Sequence, residues 1–105
     1  PDQERLIARG KTSQYLGMTV QEITPEIARH FGLKGTEGVV VSAVEPDSPA
    51  GKAGIEAEDV ILQVNRTGIK NLQDYNEVMG KAADKESVLL LIKRGSAQYY
   101  VVVRK

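Results

Sequence analysis

The chain is organised around the stretch Tyr15-Leu16-Gly17-Met18-Thr19-Val20-Gln21, which places a glycine turn directly before a strand. Residues 17–22 alternate imperfectly between apolar and polar side chains, as the residues of an edge strand can. A glycine at position 17 lets successive backbone amides converge, and converging N–H groups bind anions such as a carboxylate. A free strand edge beside such a turn can add a peptide as a further strand. The stretch alone also fits a plain turn with no binding role.

A short helix is predicted directly after this strand. Thr24 is an N-cap residue, Pro25 suits the first helical position, and Glu26 places a negative charge at the positive end of the helix dipole. Gly32 fits the stop, with Leu33 able to fold back onto the helix.

Four further segments are predicted to be strands from their β-branched and apolar composition: residues 39–44, 60–64, 88–92 and 99–103. Because residues 88–92 are apolar without interruption, we expect that strand to be central and covered on both faces. Residues 93–96 form a hairpin turn into the last strand.

Two helical segments lie between these strands. Ser48 caps a single turn over residues 49–53, and Asn71 caps an amphipathic helix over residues 71–83, whose apolar side chains recur every three or four residues. The fold class is therefore α+β: one compact domain over about residues 15–103, a sheet whose ends are capped by helices.

Composition excludes several classes of function. The 105 residues carry 14 basic and 14 acidic side chains, so the chain lacks the positive charge of nucleic-acid-binding proteins. It contains no apolar run long enough to span a membrane. The absence of cysteine excludes disulfides, thiol catalysis and zinc–thiolate sites. The start at Pro1 indicates an excised piece, so the lack of a signal peptide says little about the location of the parent.

Catalytic patterns are weak throughout the chain. His30 is the only histidine, and we expect it to be a surface or capping residue at a helix end. No serine lies in a Gly-x-Ser-x-Gly context. Glu56, Glu58 and Asp59 are read as a solvated acidic loop. We therefore expect no catalytic residue, no metal site and no cofactor, and an independent enzyme is the least favoured class. A Ser-His-Asp triad would need His30 together with one of five serines: Ser13, Ser42, Ser48, Ser87 or Ser96.

Several motifs occur together in a fixed order. They are Tyr15-Leu16-Gly17-Met18, residues 24–29 (Thr-Pro-Glu-Ile-Ala-Arg), 38–41 (Gly-Val-Val-Val), 44–50 (Val-Glu-Pro-Asp-Ser-Pro-Ala), 53–55 (Ala-Gly-Ile), 59–65 (Asp-Val-Ile-Leu-Gln-Val-Asn) and 88–95 (Val-Leu-Leu-Leu-Ile-Lys-Arg-Gly). In this order and spacing, over residues 15–103, they resemble the PDZ domains of the bacterial HtrA/Deg (Do-like, DegP-like) serine proteases. The first helix start and the last motif look most like the second, C-terminal PDZ domain.

The resemblance implies a PDZ-like, partly open β-barrel or sandwich of five to six strands capped by two helices. Residues 15–105 would form the PDZ domain, and residues 1–14 a linker or flexible N-terminal extension, with a short edge strand or a contact to a neighbouring domain as the alternatives. Glu58 departs from the family, which commonly has glycine there. If that position needs a positive φ, a glutamate there lowers the stability of the fold by roughly 1 kcal/mol.

The resemblance also implies a site. A carboxylate-binding loop would receive the end of a peptide, a strand would pair with its backbone, and a facing helix would close the groove. The loop residues are Tyr15, Leu16, Gly17 and Met18; the pairing residues are Thr19 and Val20; the helix residues are Leu72, Tyr75, Asn76 and Met79, with Val78 as a neighbour. Met79 would suit an adaptable pocket for an apolar terminal side chain.

The implied function is that of a peptide-binding, non-catalytic module of a periplasmic serine endopeptidase in protein quality control. It would capture hydrophobic C-termini or extended segments of unfolded proteins and regulate a separate trypsin-like protease domain. Its partners would be those peptides, the protease domain and other PDZ domain of the parent, and further copies in a homo-oligomer. The alternative is an assembly module that makes inter-subunit contacts. A PDZ domain of a site-2 metalloprotease or a tail-specific protease competes on identity.

Overall fold

The computed structural model describes residues 12–105 of the chain. Most of the predicted extension, residues 1–14, therefore lies outside the described residues. The strands are β1 Thr12–Tyr15, β2 Met18–Glu22, β3 Val39–Val44, β4 Val60–Val64, β5 Thr67–Gly68, β6 Ser87–Arg94 and β7 Ala97–Arg104; the helices are α1 Pro25–His30, α2 Pro49–Lys52 and α3 Leu72–Lys81.

The predicted fold class is confirmed, since the described residues form an antiparallel sheet with helices packed against it. All five predicted strands and all three helical segments are present. The described part contains seven strands and three helices, more than the five to six strands and two helices expected. The two additional strands are β1, which includes residues 12–14 and agrees with the alternative of a short edge strand, and the two-residue β5, which was not predicted.

Every strand pair in the sheet is antiparallel, in the order β1-β2-β3-β4-β6-β7, with β5 pairing with β4 beside this path. Strand β6 lies between β4 and β7, as predicted, but it is not equally covered on both faces, since Val88, Leu90 and Ile92 are fully buried whereas Leu89 and Leu91 are only half-buried. Gly95 and Ser96 connect β6 to β7 as a two-residue turn, and Gly95 has the positive φ of 61° that such turns require. β1 and β7 are thus the two outer strands.

The sheet buries side chains on both of its faces. The larger core joins Met18 and Val20 of β2 to the apolar face of α3 and to β6. A smaller core lies under α1 and contains Ile23, Ala28, Val40 and Val60. Because successive residues of a strand point to opposite faces, Val40 enters the smaller core while its neighbours in β3 enter the larger one.

The three predicted N-caps are confirmed. In each case a side-chain oxygen of the residue before the helix accepts a hydrogen bond from a backbone amide of the first turn, which would otherwise lack a partner. The pairs are Thr24 with Ile27 at 3.2 Å, Ser48 with Gly51 at 3.1 Å and Asn71 with Asp74 at 2.9 Å.

Asp59 is buried and forms an ion pair with the partly exposed Arg94, so its assignment to a solvated loop was wrong. Its carboxylate is 1% exposed and accepts hydrogen bonds of 2.7 Å from both Nε and Nη2 of Arg94, and one of 2.9 Å from the amide of Glu56. The hydrogen bond to Asp59 raises the pKa of Arg94 above its usual value. Glu56 and Glu58 are exposed as predicted, and Glu58 has the anticipated positive φ, 77°.

The Asp59→Asn substitution is expected to lower the free energy of unfolding by about 2 kcal/mol, because it removes the charge from two hydrogen bonds that the buried carboxylate accepts from Arg94, whose own side chain is 38% exposed. Urea unfolding followed by circular dichroism measures this loss. Glu56→Gln is the matched control: Glu56 lies 3.8 Å from Arg94 but its side chain is 68% exposed, so a change below about 1 kcal/mol is expected. Equal losses from the two substitutions would contradict a specific role for the buried pair.

Candidate functional site

The predicted loop is the tight turn of a β-hairpin formed by β1 and β2. Tyr15 pairs with Met18, and the two residues between them both have positive φ, 60° for Leu16 and 83° for Gly17. Two-residue hairpin turns of this kind match the twist of the flanking strands. Gly17 adopts this conformation freely, whereas Leu16 pays about 1 kcal/mol for it because of its Cβ.

The turn is anchored to the chain around α2 by two backbone hydrogen bonds. The carbonyl of Leu16 accepts from the amide of Ala50 at 3.0 Å, and the carbonyl of Gly17 accepts from the amide of Glu45 at 2.9 Å. A Cβ at position 17 would lie 1.9 Å from the Cβ of Ser48. Position 17 therefore requires glycine for close packing as well as for its φ.

These two carbonyls also set the direction of the amides. Each trans peptide group points its C=O and N–H to opposite sides. Since the carbonyls of Leu16 and Gly17 point towards α2 and its preceding loop, the N–H groups of Gly17 and Met18 point away from them, to the side on which β1 lies.

Both edges of β2 are paired, so the expectation of a free edge was wrong for this structure. β3 pairs with one edge, and β1 pairs with the other from Thr12 opposite Gln21 to Tyr15 opposite Met18. The predicted peptide-pairing residues, Thr19 and Val20, are opposite Gln14 and Ser13 of β1.

Strand β1 also contacts the predicted groove helix, α3. The hydroxyl of Ser13 donates a hydrogen bond to Oδ1 of Asn76, and the ring of Tyr15 packs edge-to-face on Tyr75 with 5.8 Å between ring centroids. β1 therefore lies between β2 and α3, in the space where the groove was predicted.

The helix residues predicted to line the groove differ in their surroundings. Leu72, Tyr75 and Met79 are buried in the larger core, and Met79 is only 3% exposed, so its side chain faces no open pocket. Asn76 is half-buried and contacts β1. Val78 is half-buried against the same core. Asn76 is thus the helix residue whose polar group faces the occupant of the groove.

The hydroxyl of Tyr75 is buried and makes no hydrogen bond with any of the described residues. Burial, and to a smaller extent the nearby Tyr15, raises the pKa of Tyr75 above its usual value near 10. The periodicity of α3 identified Tyr75 as an apolar-face residue, but nothing in the sequence indicated an unpaired hydroxyl.

The described residues contain no metal cluster and no membrane-spanning helix, and the only histidine of the sequence is exposed. His30 is exposed at the end of α1, beside the ring of Phe31. Within residues 12–105, no three His, Asp or Glu side chains cluster closely enough to hold a metal ion. No helix of that range is both long enough and apolar enough to cross a membrane.

Comparison with known proteins identifies the family. A sequence model of the family described as "PDZ domain" matches residues 40–94. The chain is 39% identical over 92 residues to a "Probable periplasmic serine endoprotease DegP-like" of Chlamydia trachomatis serovar D. This alignment covers 87% of this chain and 18% of that protein. A protein of the same name from Rickettsia conorii is 33% identical over 102 residues, 96% of this chain and 20% of the relative. The chain thus spans about a fifth of the length of these curated relatives.

Solved structures share the fold. The HtrA3 PDZ domain bound to a phage-derived ligand aligns with a TM-score of 0.71 at 22% identity, over 90% of this chain and 86% of that one. The HtrA-type protease AlgW with a decapeptide aligns with a TM-score of 0.71 at 27% identity, over 96% of this chain and 31% of that one. The predicted resemblance to PDZ domains of HtrA/Deg proteases is confirmed; the second, C-terminal position stays a prediction.

The Tyr75→Phe substitution is expected to raise the free energy of unfolding by about 1 kcal/mol at pH 7, because it removes a buried hydroxyl that lacks a partner. Since the pKa of Tyr75 is raised in the folded state, ionisation of Tyr75 favours unfolding. The free energy of unfolding is therefore unaffected by this ionisation below pH ~10 and falls as the pH rises further. Tyr75→Phe should therefore flatten the alkaline loss of stability, measured by urea unfolding between pH 7 and 11.

Tyr100→Phe is the matched control, because the side chain of Tyr100 is 56% exposed. It should leave both the stability at pH 7 and the alkaline slope close to those of the unsubstituted chain. A destabilised Tyr75→Phe variant would indicate that the hydroxyl has a partner after all.

Proposed function

Because the chain belongs to the PDZ domain family, we propose that it binds the C-termini and extended segments of other polypeptides by adding them to its sheet. Strand β1 is the observation that carries this proposal. An extended segment already runs antiparallel to β2, between β2 and α3, and ends at the glycine turn. The same space suits the backbone of a peptide, whose main-chain hydrogen bonds supply affinity while side-chain contacts supply selectivity.

The carboxylate of the peptide would be held by the turn. The amides of Gly17 and Met18 point away from α2, on the side where a ligand would end, and neighbouring amides aimed at one point favour an anion. The proposed ligand contacts are Tyr15 to Met18 for the carboxylate, Thr19 and Val20 for the backbone, and the face of α3 for side chains. On that face we assign Asn76 to polar contact and Leu72, Tyr75 and Met79 to apolar contact.

We further propose that the chain serves a periplasmic serine endopeptidase as its non-catalytic peptide-binding module. It would capture hydrophobic C-termini or extended segments of unfolded proteins and regulate a separate trypsin-like protease domain. The names of the relatives support this role and location, and the decapeptide bound to AlgW supports the ligand class. We place the module as the second PDZ domain of its parent from the motifs in residues 24–29 and 88–95.

An assembly role is the second candidate, and strand β7 favours it. Among the described residues β7 pairs only with β6, and its outward side chains Tyr100 and Val102 are 56% and 51% exposed. Unpaired edges and exposed apolar side chains are typical of association surfaces. If this edge joins subunits, Tyr100→Lys with Val102→Lys should lower the mass of the parent oligomer in analytical ultracentrifugation. An unchanged mass would contradict the assembly role.

Peptide binding is tested with synthetic decapeptides that end in an apolar residue, each prepared with a free carboxylate and with a C-terminal amide. Isothermal titration calorimetry should show binding of the free acids and at least ~10-fold weaker binding of the amides, because charge-assisted hydrogen bonds to the turn are lost. Equal affinities would contradict the carboxylate assignment. The amide leaves the protein unchanged, whereas any side chain at Gly17 would collide with Ser48.

A further inference from the structure

We propose that strand β1, residues Thr12–Tyr15, is an internal ligand of the groove and that an external peptide binds by displacing it. This inference rests on the proposed peptide binding and adds how that binding is regulated. β1 lies where the ligand would lie, in the same direction, with Tyr15 at the turn.

The internal strand and an external peptide exclude each other. Each residue of β2 has one N–H and one C=O group, and β3 already pairs with one edge of the strand. The other edge is taken by β1 over the length of Thr12–Tyr15. A peptide can therefore add to β2 beside α3 only after β1 has left that edge.

Occupation by β1 also removes part of the carboxylate-binding turn. In a two-residue hairpin the closing pair exchanges both of its backbone hydrogen bonds, so the amide of Met18 donates to the carbonyl of Tyr15. That amide is one of the two aimed at the proposed carboxylate. Release of β1 frees it and lets Leu16 leave its unfavourable positive φ, which couples release of the strand to completion of the site.

Few contacts hold β1 in place. It is four residues long and pairs with one strand. Ser13 contacts Asn76, and Gln14 contacts Thr19 at 3.2 Å in a position exposed to solvent. Tyr15 packs on Tyr75 and against the larger core, and it is only partly buried there. β2, in contrast, is also paired with β3 over its whole length, from Met18 to Glu22, and this pairing does not involve β1. Short outer strands with few buried contacts open at the lowest free-energy cost in a fold.

The contacts of β1 also indicate which peptides compete best. A displacing peptide must replace the hydroxyl that Asn76 accepts and the ring that packs on Tyr75. In β1 these come from Ser13 and Tyr15, a hydroxyl residue two positions before an aromatic one. The probe is accordingly the peptide Lys-Thr-Ser-Gln-Tyr with a free carboxylate, which repeats residues 11–15.

A reversible disulfide gives the sharpest test. Gln14 and Thr19 are directly opposite, and by the alternation of the hairpin they form a non-hydrogen-bonded pair, in which Cα atoms lie about 4.5 Å apart, within the range of a disulfide. Because the chain has no cysteine, the Gln14→Cys/Thr19→Cys variant forms one defined bond. The oxidised form should show no measurable binding of the probe in calorimetry, and reduction of the same sample should restore it.

Two substitutions of Ser13 test the displacement without a cross-link. Ser13→Pro removes the amide that pairs with Val20, whereas Ser13→Ala removes only the hydroxyl bonded to Asn76. Apparent affinity scales with the fraction of molecules whose groove is open, so Ser13→Pro should bind the probe on the order of 10-fold more tightly than the unsubstituted chain. Ser13→Ala is expected to have a smaller effect of the same sign.

The outcomes separate the two proposals. Equal binding by the oxidised and reduced forms would overturn displacement and leave peptide binding intact. If no free-acid peptide binds to the reduced form, to the unsubstituted chain or to Ser13→Pro, the proposed function is overturned, and displacement is overturned with it. If the probe displaces β1, the backbone amide NMR signals of Ser13 and Gln14 should shift to the chemical shifts of an unstructured segment when the probe is added.

Discussion

The close approach of Gly17 to Ser48 is the constraint on which the candidate site depends. With no Cβ at position 17, the turn can pack against the residue that caps α2, and the carbonyls of both turn residues, Leu16 and Gly17, can bond to the chain around that helix. Planarity of the peptide groups then aims the following amides at the opposite side. One packing contact thus sets where β2 begins, which way its amides point, and where any strand that pairs with it must end.

The groove between β2 and α3 is lined by residues of the hydrophobic core, and this explains why an internal strand occupies the groove. Leu72, Tyr75 and Met79 belong to the same buried cluster as Met18 and Val20. Each square ångström of apolar surface exposed to water costs about 25 cal/mol, so an uncovered groove would weaken a small domain. Strand β1 covers this surface, yet it leaves the hydroxyl of Tyr75 without a partner among the described residues. The occupant is therefore adequate rather than optimal, as a displaceable strand should be.

The two outer strands of the sheet, β1 and β7, differ in length and in exposure to solvent. β1 is short, and its side chains reach α3, so this end of the sheet is closed by the molecule itself. β7 is eight residues long and has exposed Tyr100 and Val102, so the other end is available for association. Asp59 and Arg94 join the loop before β4 to the end of β6, where Arg94 also pairs with Ala97 of β7 and its guanidinium lies 5.3 Å from the ring centre of Tyr99. Their role is structural.

Local patterns were sufficient for most of the fold. Runs of β-branched residues marked the strands, and Thr24, Ser48 and Asn71 marked the helix starts, because a strand period or an N-cap depends on residues within a few positions of each other. The order of those motifs was also enough to indicate the PDZ family.

Contacts between distant parts of the chain were decided only by the tertiary structure. The hairpin of β1 and β2 is local, but its docking on α3 depends on Ser13 meeting Asn76, 63 residues later, and the burial of Asp59 depends on Arg94, 35 residues later. Neither side chain carries a local signal of its partner. The strands, the caps and the family could therefore be predicted from the sequence, whereas the occupied groove and the ion pair of the buried Asp59 arise from how those elements pack in three dimensions.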